Sequence, residues 1–493
     1  MNYLKFLTIV VIVGGLIGCD MLDSQEPQQS LPADEVLSSP DGLENLQTGL
    51  YDGLQNANIA GGNFNVLPEI MADNALWTGS FTNYARQAAR EMNPSDGQIG
   101  SWWNISYREI NTANIILDTV GEIEDTPDFD ESNRELMRAD AYFVRGMLYF
   151  ELARAFAKPW GYTGDNSHPG VPVRTEPVLD SDSFEELPRN TVAEVYDQAV
   201  SDLENAVDRL PLPNDAIEGR ASVYSAVGYL MRIEMNRGNY DVAADYAEEI
   251  ITSGFFELTP DADGPFRNEF SAESILEISH TPQDNPGVNA GQNAFYASTA
   301  NGGRGDIEYT GDYVDALNST ITDDQRAAVE AAGFEVQETR TGLIEDVEST
   351  TTKFPDGIDN ADNVLNMRYA DILLSSAEAL TETATSYADV PDEAFDRLNE
   401  VRTRAIVVTD DGDQVPPALI EYTRADFNSQ DELLEAILLE RRVELSFEGD
   451  RFYTLKRKGM DIRGLPFDDN ALVFPIPQAE LDSNDNIDQN DGY

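Results

Sequence analysis

A chain of 493 residues can bury a large core, and a formal net charge of −59 argues against nucleic acid or an anionic membrane surface as a partner, because phosphates would be repelled. The lone cysteine, Cys19, excludes an intrachain disulfide and a cysteine-rich metal site. The excess of 91 Asp and Glu over 32 Lys and Arg, with few lysines, is typical of proteins from salt-loving microbes.

The first residues have the features of a bacterial export signal. Lys5 supplies the positive charge, and the apolar run that follows is too short for a relaxed transmembrane helix. The run ends in Leu-Ile-Gly-Cys, which resembles a lipobox whose Cys19 thiol takes a diacylglycerol. We therefore expect residues 1–18 to be a lipoprotein signal peptide and 19–40 a flexible acidic tether. A plain signal peptide with an incidental cysteine is the alternative.

Apolar residues recur every three or four positions along most of the chain, and this period predicts helices. Thr191 and Glu194 have the spacing of a capping box, and Gly238 and Gly254 have the positions of helix ends. Small residues between those two glycines suggest a helical hairpin similar to a tetratricopeptide unit. The predicted helices span 41–54, 102–122, 134–158, 191–211, 220–237, 240–253, 367–383, 392–405 and 433–459.

Two stretches lack a sustained period, near 61–100 and 255–363, and we expect irregular loop insertions there. Long loops in compact proteins are often functional. Sugars present flat C–H faces that stack on aromatic rings, and hydroxyls that pair with Asp, Asn and Arg. An aromatic residue taken alone more often belongs to the core or its rim than to a ligand site. The candidate ligand-binding residues are Asp73, Trp77, Phe81, Tyr84, Arg86, Tyr296 and Tyr309.

The last predicted helix, 433–459, combines an apolar face with dense charge. Glu440, Glu444 and Glu448 form a column at four-residue spacing, with Arg441 and Arg442 within one turn of it. Acid and base could therefore pair along the helix. Structural salt bridges are one reading of this pattern, and a charged binding site is the other.

The same segment, ERRVELSFEGDRFYTLKR, closely resembles the C-terminal signature of the SusD/RagB family, surface glycan-binding lipoproteins of Bacteroidetes-type bacteria. MRYADILLSSAEAL, LNEVRTRA, FPIPQAEL and the terminal QNDGY are similar to further family segments, in the same order. The signature residues by this resemblance are Arg441, Arg442, Glu444, Glu448 and Arg451.

The resemblance implies an all-α, tetratricopeptide-like scaffold of helical pairs, forming one domain over 41–493 with large loop insertions. It also implies a surface lipoprotein of the outer membrane, anchored through Cys19, that binds an oligosaccharide or similar nutrient oligomer. Its expected partner is a SusC-like TonB-dependent transporter barrel, to which it would deliver that ligand.

Catalysis is not expected, because the chain lacks a P-loop, a GxGxxG at a strand–helix junction and a GxSxG motif. His168 and His280 are expected to be solvated loop residues, and the acidic turns lack the full EF-hand order. We therefore expect no metal and no cofactor. A surface-anchored glycan hydrolase and a purely structural lipoprotein are the alternative functions.

Overall fold

The computed structural model describes residues 37–180, 183–410, 413–414 and 417–493. The expected signal peptide, Cys19 and most of the tether lie outside these residues. Within them, no helix is long and apolar enough to span a membrane.

Helices make up most of the secondary structure. In chain order they are α1 (Pro40–Leu54), α2 (Asn63–Met71), α3 (Thr82–Ala89), α4 (Gly97–Thr119), α5 (Glu131–Phe156), α6 (Val192–Val207), α7 (Val223–Arg237), α8 (Tyr240–Ser253), α9 (Gly291–Tyr296), α10 (Gly311–Ser319), α11 (Asp323–Ala331), α12 (Tyr369–Thr383), α13 (Asp392–Ala405), α14 (Gln430–Glu444), α15 (Asp450–Arg457) and α16 (Gln478–Ser483).

The strands are short and form small antiparallel sheets. They are β1 (Ala75–Trp77), β2 (Ser274–Ile278), β3 (Ile307–Tyr309), β4 (Glu335–Glu338), β5 (Ile344–Glu345), β6 (Thr350–Thr351), β7 (Val364–Arg368), β8 (Ile406–Asp410) and β9 (Asp413–Gln414). The pairs are β1–β3, β2–β7 and β5–β6, and β4, β8 and β9 form one three-stranded sheet. The β2–β7 pair is buried.

The long helices pack in a chain of neighbours, α4 on α5, α5 on α6, α6 on α7, α7 on α8, α8 on α12 and α12 on α13. Helix α5 lies at the centre, and Gly146 allows α6 to approach it closely. A Cβ atom there would lie 2.9 Å from the carbonyl oxygen of Ala199. This stacking of antiparallel helices confirms the expected all-α, tetratricopeptide-like class.

Local sequence signals predicted several helix ends correctly. Thr191 and Glu194 form both bonds of the capping box at the start of α6. Gly238 and Gly254 take left-handed conformations after α7 and α8, with φ of 73° and 70°.

Other expectations were wrong. The segment 433–459 is two helices rather than one, because the chain turns at Phe447 and Gly449, whose φ angles are 66° and 80°. The stretch 61–100 is largely regular, since it holds α2, β1, α3 and the start of α4. The buried side chains of His168 and His280 also contradict the expectation of solvated histidines.

The acid–base pairs of this segment join different elements instead of running along one helix. Arg441 pairs with Asp371 at 2.6 Å, and Arg368 pairs with Glu444 at 2.7 Å. Burial would raise the pKa of Glu444, but the guanidiniums of Arg404, Arg368 and Arg340 hold it well below its ordinary value. These charges therefore tie the C-terminal helices to the rest of the core.

Candidate functional site

A two-stranded ribbon joins the two stretches that were expected to carry the ligand site. Strand β1 pairs antiparallel with β3, so that Ala75 lies opposite Tyr309 and Trp77 opposite Ile307. The pairing extends past the strand, where the Thr78 amide donates to the Asp306 carbonyl at 2.8 Å. Residues more than 200 positions apart therefore share one small surface, which we call the β1–β3 ribbon.

Trp77 lies at the end of this ribbon in a cluster of aromatic rings. Its ring stacks on Tyr84, with centroids 4.7 Å apart and planes 18° apart, and it meets Phe295 edge to face at 5.1 Å. Its indole N–H donates to the Gly79 carbonyl at 3.0 Å, which fixes the ring orientation. Tyr84 and Phe295 are buried beneath, whereas Trp77 and Phe81 are partly exposed. We call these four residues the aromatic patch.

Polar groups border the patch on the side of Phe81. The Arg304 guanidinium lies 4.5 Å from the centroid of the Phe81 ring, a cation–π contact. Its Nε donates to Asp306 at 2.6 Å, and its Nη1 donates to the Asn289 side chain at 3.2 Å. Gly79 makes room for this arrangement, since a Cβ atom there would lie 2.4 Å from the Asp306 carboxyl.

Tyr309 lies on β3 opposite Ala75, at the end of the ribbon away from Trp77, and it is partly exposed. Its hydroxyl donates to the Asp346 carboxylate at 3.1 Å, and its amide donates to the Ser349 carbonyl at 2.7 Å. Burial and the Asp346 carboxylate both raise the pKa of Tyr309, so the phenol stays a neutral donor. A polar and aromatic rim thus continues along β3.

Two of the predicted ligand residues are occupied by contacts within the protein. Tyr296 is completely buried against Phe354 and Phe447, so it offers a ligand no surface, and its expected role in binding is corrected to one in the core. Arg86 lies on α3, where its guanidinium pairs with Asp96, the residue before α4, and donates to the Asn83 side chain at 2.6 Å. The guanidinium therefore already has partners within the protein.

Asp73, another predicted ligand residue, forms ion pairs that hold the chain just before β1. Its carboxylate accepts from Arg451 at 2.8 Å, and Arg442 donates to the neighbouring Asn74 side chain at 2.8 Å. Burial would raise the pKa of Asp73, but Arg451 and Arg442 lower it below its ordinary value. The signature segment around α15 therefore holds the turn that leads into β1 and Trp77.

The sequence did not single out Arg304, Asp306 or Phe295 as site residues. Arg304 and Asp306 lie in a stretch rich in glycine and acidic residues. The single arginine there was the one local feature that could have indicated a binding residue. Their position follows from the pairing of β1 with β3, which joins segments about 230 residues apart and leaves no local pattern.

Among residues 37–180, 183–410 and 417–493, no group of His, Cys, Asp or Glu side chains is arranged to hold a metal ion. The aromatic patch instead offers ring surface bordered by charged and amide groups. Such a surface on a tetratricopeptide-like helical scaffold is typical of a binding protein.

Two family models and several curated proteins are similar to this chain. A family model described as "Starch-binding associating with outer membrane" matches residues 20–235, and the SusD family model matches 341–465. SusD-like protein P2 of Formosa agariphila is 27% identical over 536 residues, covering 99% of both chains. SusD-like protein P38 of the same organism is 24% identical and covers 98% of both chains.

Solved structures share the fold. A SusD superfamily protein from Bacteroides thetaiotaomicron superposes with a TM-score of 0.74 at 23% identity, covering 91% of this chain and 99% of that one. A laminarin-binding SusD-like protein superposes with a TM-score of 0.67 at 23% identity, covering 92% of this chain and all of that one. The chain is therefore similar to SusD-like proteins in two separate stretches of sequence and over nearly its whole length, and it shares their fold.

Proposed function

We propose that this protein binds an oligosaccharide through the aromatic patch and delivers it to a SusC-like TonB-dependent transporter in the outer membrane. The observation that carries the proposal is the partly exposed Trp77 ring, fixed by Tyr84 and Phe295 and bordered by Arg304. The family resemblance and the starch-binding model over residues 20–235 support the same ligand class.

The patch suits a sugar for two physical reasons. A preformed aromatic surface can cover the C–H face of a pyranose without ordering new side chains, which lowers the entropic cost of binding. Phe81 extends that surface, Tyr309 offers a partly exposed ring on the neighbouring strand, and Arg304 and Asn289 offer donors to sugar hydroxyls.

A glycan hydrolase is the second candidate, and it depends on an accessible carboxyl that can act as the general acid. A glycosidase needs one carboxyl with a raised pKa facing a second carboxyl across the sugar. Burial raises the pKa of Glu69 to about 7 and that of Asp140 to about 6, yet both side chains are inaccessible, at 0% and 1% exposure. Asp362, whose pKa burial also raises to about 6, is partly exposed, so it is the carboxyl that a hydrolase would have to use.

A glycan array with the purified chain tests binding, and an assay for released reducing ends tests catalysis on the glycans that bind. The proposal expects binding of at least one oligosaccharide and no release of reducing sugar. Turnover of the bound glycan would favour the hydrolase, and no binding to any glycan would favour a structural lipoprotein.

We also propose a surface lipoprotein anchored through Cys19, supported by the lipobox and by the outer-membrane association of the family. Mass spectrometry of protein extracted from membranes should find residues 1–18 missing and acyl mass on Cys19. A Cys19→Ala protein that stays in the membrane fraction would contradict the anchor.

A further inference from the structure

The turn between α2 and β1, residues Met71–Ala75, is contacted by four arginines. Two of them, Arg442 and Arg451, share the Asp73 carboxylate as an ion-pair partner. Because one carboxylate serves both, this pair of side chains already carries an excess of positive charge.

The other two, Arg90 and Arg463, meet the turn only through its backbone. Arg90 Nη1 donates to the Met71 carbonyl at 3.5 Å, and Arg463 Nη2 donates to the Ala75 carbonyl. Among the described residues neither guanidinium forms an ion pair with a carboxylate, and each keeps most of its N–H groups free of protein acceptors. Both side chains are partly exposed, so these donors reach solvent.

The two guanidiniums bind carbonyls at the two ends of the same short turn. Burial lowers the pKa of Arg463, and the charge of Arg90 lowers it further, while the carboxylates of Asp73, Asp312 and Glu69 act in the opposite direction. Burial also lowers the pKa of Arg90. Two neighbouring arginines without an ion-pair partner among the described residues are unexpected in a chain with 91 acidic residues, where other arginines such as Arg368, Arg441 and Arg457 do pair with carboxylates.

Both arginines stand at bends of the backbone. Arg90 has a φ angle of 60° and ends α3 in the left-handed conformation, with its amide bonded to the carbonyls of Arg86 and Gln87. Arg463 has a φ angle of 48° in the tight turn between Ile462 and Leu465. These bends account for the positive φ angles.

The position of this pair relative to the aromatic patch suggests its ligand. Arg463 binds the carbonyl of Ala75, and Trp77 follows two residues later on β1, a distance of about 7 Å along the strand. An oligosaccharide lying on Trp77 can extend over that distance. Guanidinium groups bind carboxylates, sulfates and phosphates through two parallel hydrogen bonds.

We propose that Arg90 and Arg463 bind an anionic substituent, a carboxylate or a sulfate, of the oligosaccharide held on Trp77, so that the ligand is an acidic glycan. This inference rests on the proposed function and specifies its substrate class. The site acts locally, because the overall charge of −59 repels a polyanion at long range. Binding therefore needs the contact that these two arginines provide.

The test compares charged and neutral probes at about 0.15 M salt, where the Debye length is about 8 Å and long-range repulsion is largely screened. Oligogalacturonate supplies carboxylates, dextran sulfate supplies sulfates, and laminarin oligosaccharides and dextran are neutral. The variants are Arg90→Gln and Arg463→Gln. Arg326→Gln is the matched control, since Arg326 also donates only to a backbone carbonyl, that of Asn318 at 3.4 Å.

The wild-type protein should bind at least one acidic probe more tightly than either neutral probe. Arg90→Gln and Arg463→Gln should each weaken that binding by about tenfold or more, and Arg326→Gln should leave it unchanged. Arg463→Lys keeps the charge but loses the planar fork, so it should retain part of the affinity. Thermal melts of all four variants check that they fold.

Equal affinity for acidic and neutral probes, or unchanged binding by both glutamine variants, would overturn the inference. The proposed function would survive that result if laminarin binding were still lost in Trp77→Ala. Absence of binding to any acidic or neutral glycan would contradict the proposed function as well.

Discussion

At the scale of single residues, some buried carboxylates, among them Glu378 and Glu444, are held ionised by arginines from other parts of the chain. Glu378 on α12 is fully buried and receives two parallel bonds from Arg457 on α15, at 2.5 and 2.6 Å. Burial would raise its pKa, but Arg457 and Lys458 lower it to about 2. Ion pairs of this kind support the reading of the signature segment as structural.

This pair gives a pH-dependent prediction for Glu378→Gln. A carboxyl whose folded pKa is lowered contributes stability above its unfolded pKa, near 4.5, and loses it as the pH falls toward 2. The contribution at neutral pH is on the order of 3 kcal/mol. Urea unfolding should therefore show the variant less stable by about that amount at pH 7, with the difference from wild type shrinking below about pH 4.5.

Glu435→Gln on α14 is the matched control, because that side chain is exposed. It should change the free energy of unfolding by about 0.5 kcal/mol or less. A difference for Glu378→Gln that is small at neutral pH, or that grows as the pH falls, would contradict the assigned ion pair.

Residue identity alone was a poor guide to burial. His280 is buried because its ring nitrogens lie near the carbonyls of Gln55 and Asp362, and Tyr296 is buried because Phe354 and Phe447 cover it. These neighbours come from distant parts of the chain, so the local sequence around each residue could not predict its burial.

At the scale of elements, the corner between α14 and α15 links the signature segment to the aromatic patch. Helix α15 packs on α2, which leads into the Met71–Ala75 turn and β1. Gly449 at the corner has φ of 80°, and a Cβ atom there would lie 2.7 Å from Cα of Asn65 and 2.8 Å from the carbonyl of Phe64. The corner therefore requires glycine for both conformation and space.

Gly449→Ala should destabilise the protein by about 2–4 kcal/mol, because left-handed strain adds to overpacking against α2. Thermal and urea unfolding measure the change. Gly459→Ala is the matched control, since its φ of 65° is also positive but a Cβ atom meets nothing closer than Phe467 at 3.8 Å. Equal losses for both variants would mean that the close approach to α2 is unimportant.

The corner also shows what helical periodicity can and cannot predict. Leu445, Phe452 and Leu455 keep helix-like spacing across it, so the sequence predicted one continuous helix where the structure has two. By contrast, the capping box at Thr191 and the glycine after α7 were predicted correctly, because those ends are determined by residues within one turn. Tertiary contact with α2, which the sequence does not reveal, determines the break.

At the scale of the whole molecule, several arginines are buried in ion pairs with glutamates, while the large excess of acidic residues leaves many carboxylates exposed. The largest fully buried side chains include Arg340, Arg368 and Arg402, each paired with glutamate. Exposed carboxylates are therefore left to repel one another across the surface, which destabilises the compact state. A salt-loving origin stays a prediction from this charge, without support from the relatives named above.

We predict that the melting temperature rises steadily from low to molar NaCl. The Debye length falls from about 30 Å at 0.01 M to about 3 Å at 1 M, so surface repulsion is removed. Exposed ion pairs also weaken, but each contributes at most about 1 kcal/mol, and the buried pairs are screened little. Melts in a NaCl series, repeated with KCl, measure this effect, and a flat or falling curve would show that repulsion is not limiting.

The most direct test of the account is a calorimetric titration of the oligosaccharide found on the array against wild type and Trp77→Ala. We predict that the variant stays folded and loses about 1–3 kcal/mol of binding free energy, the scale of a large buried side chain. Tyr162→Ala, which removes a ring that is 45% exposed on the loop after α5, should bind as wild type does. Unchanged affinity in Trp77→Ala, or equal loss in Tyr162→Ala, would contradict glycan binding at the aromatic patch.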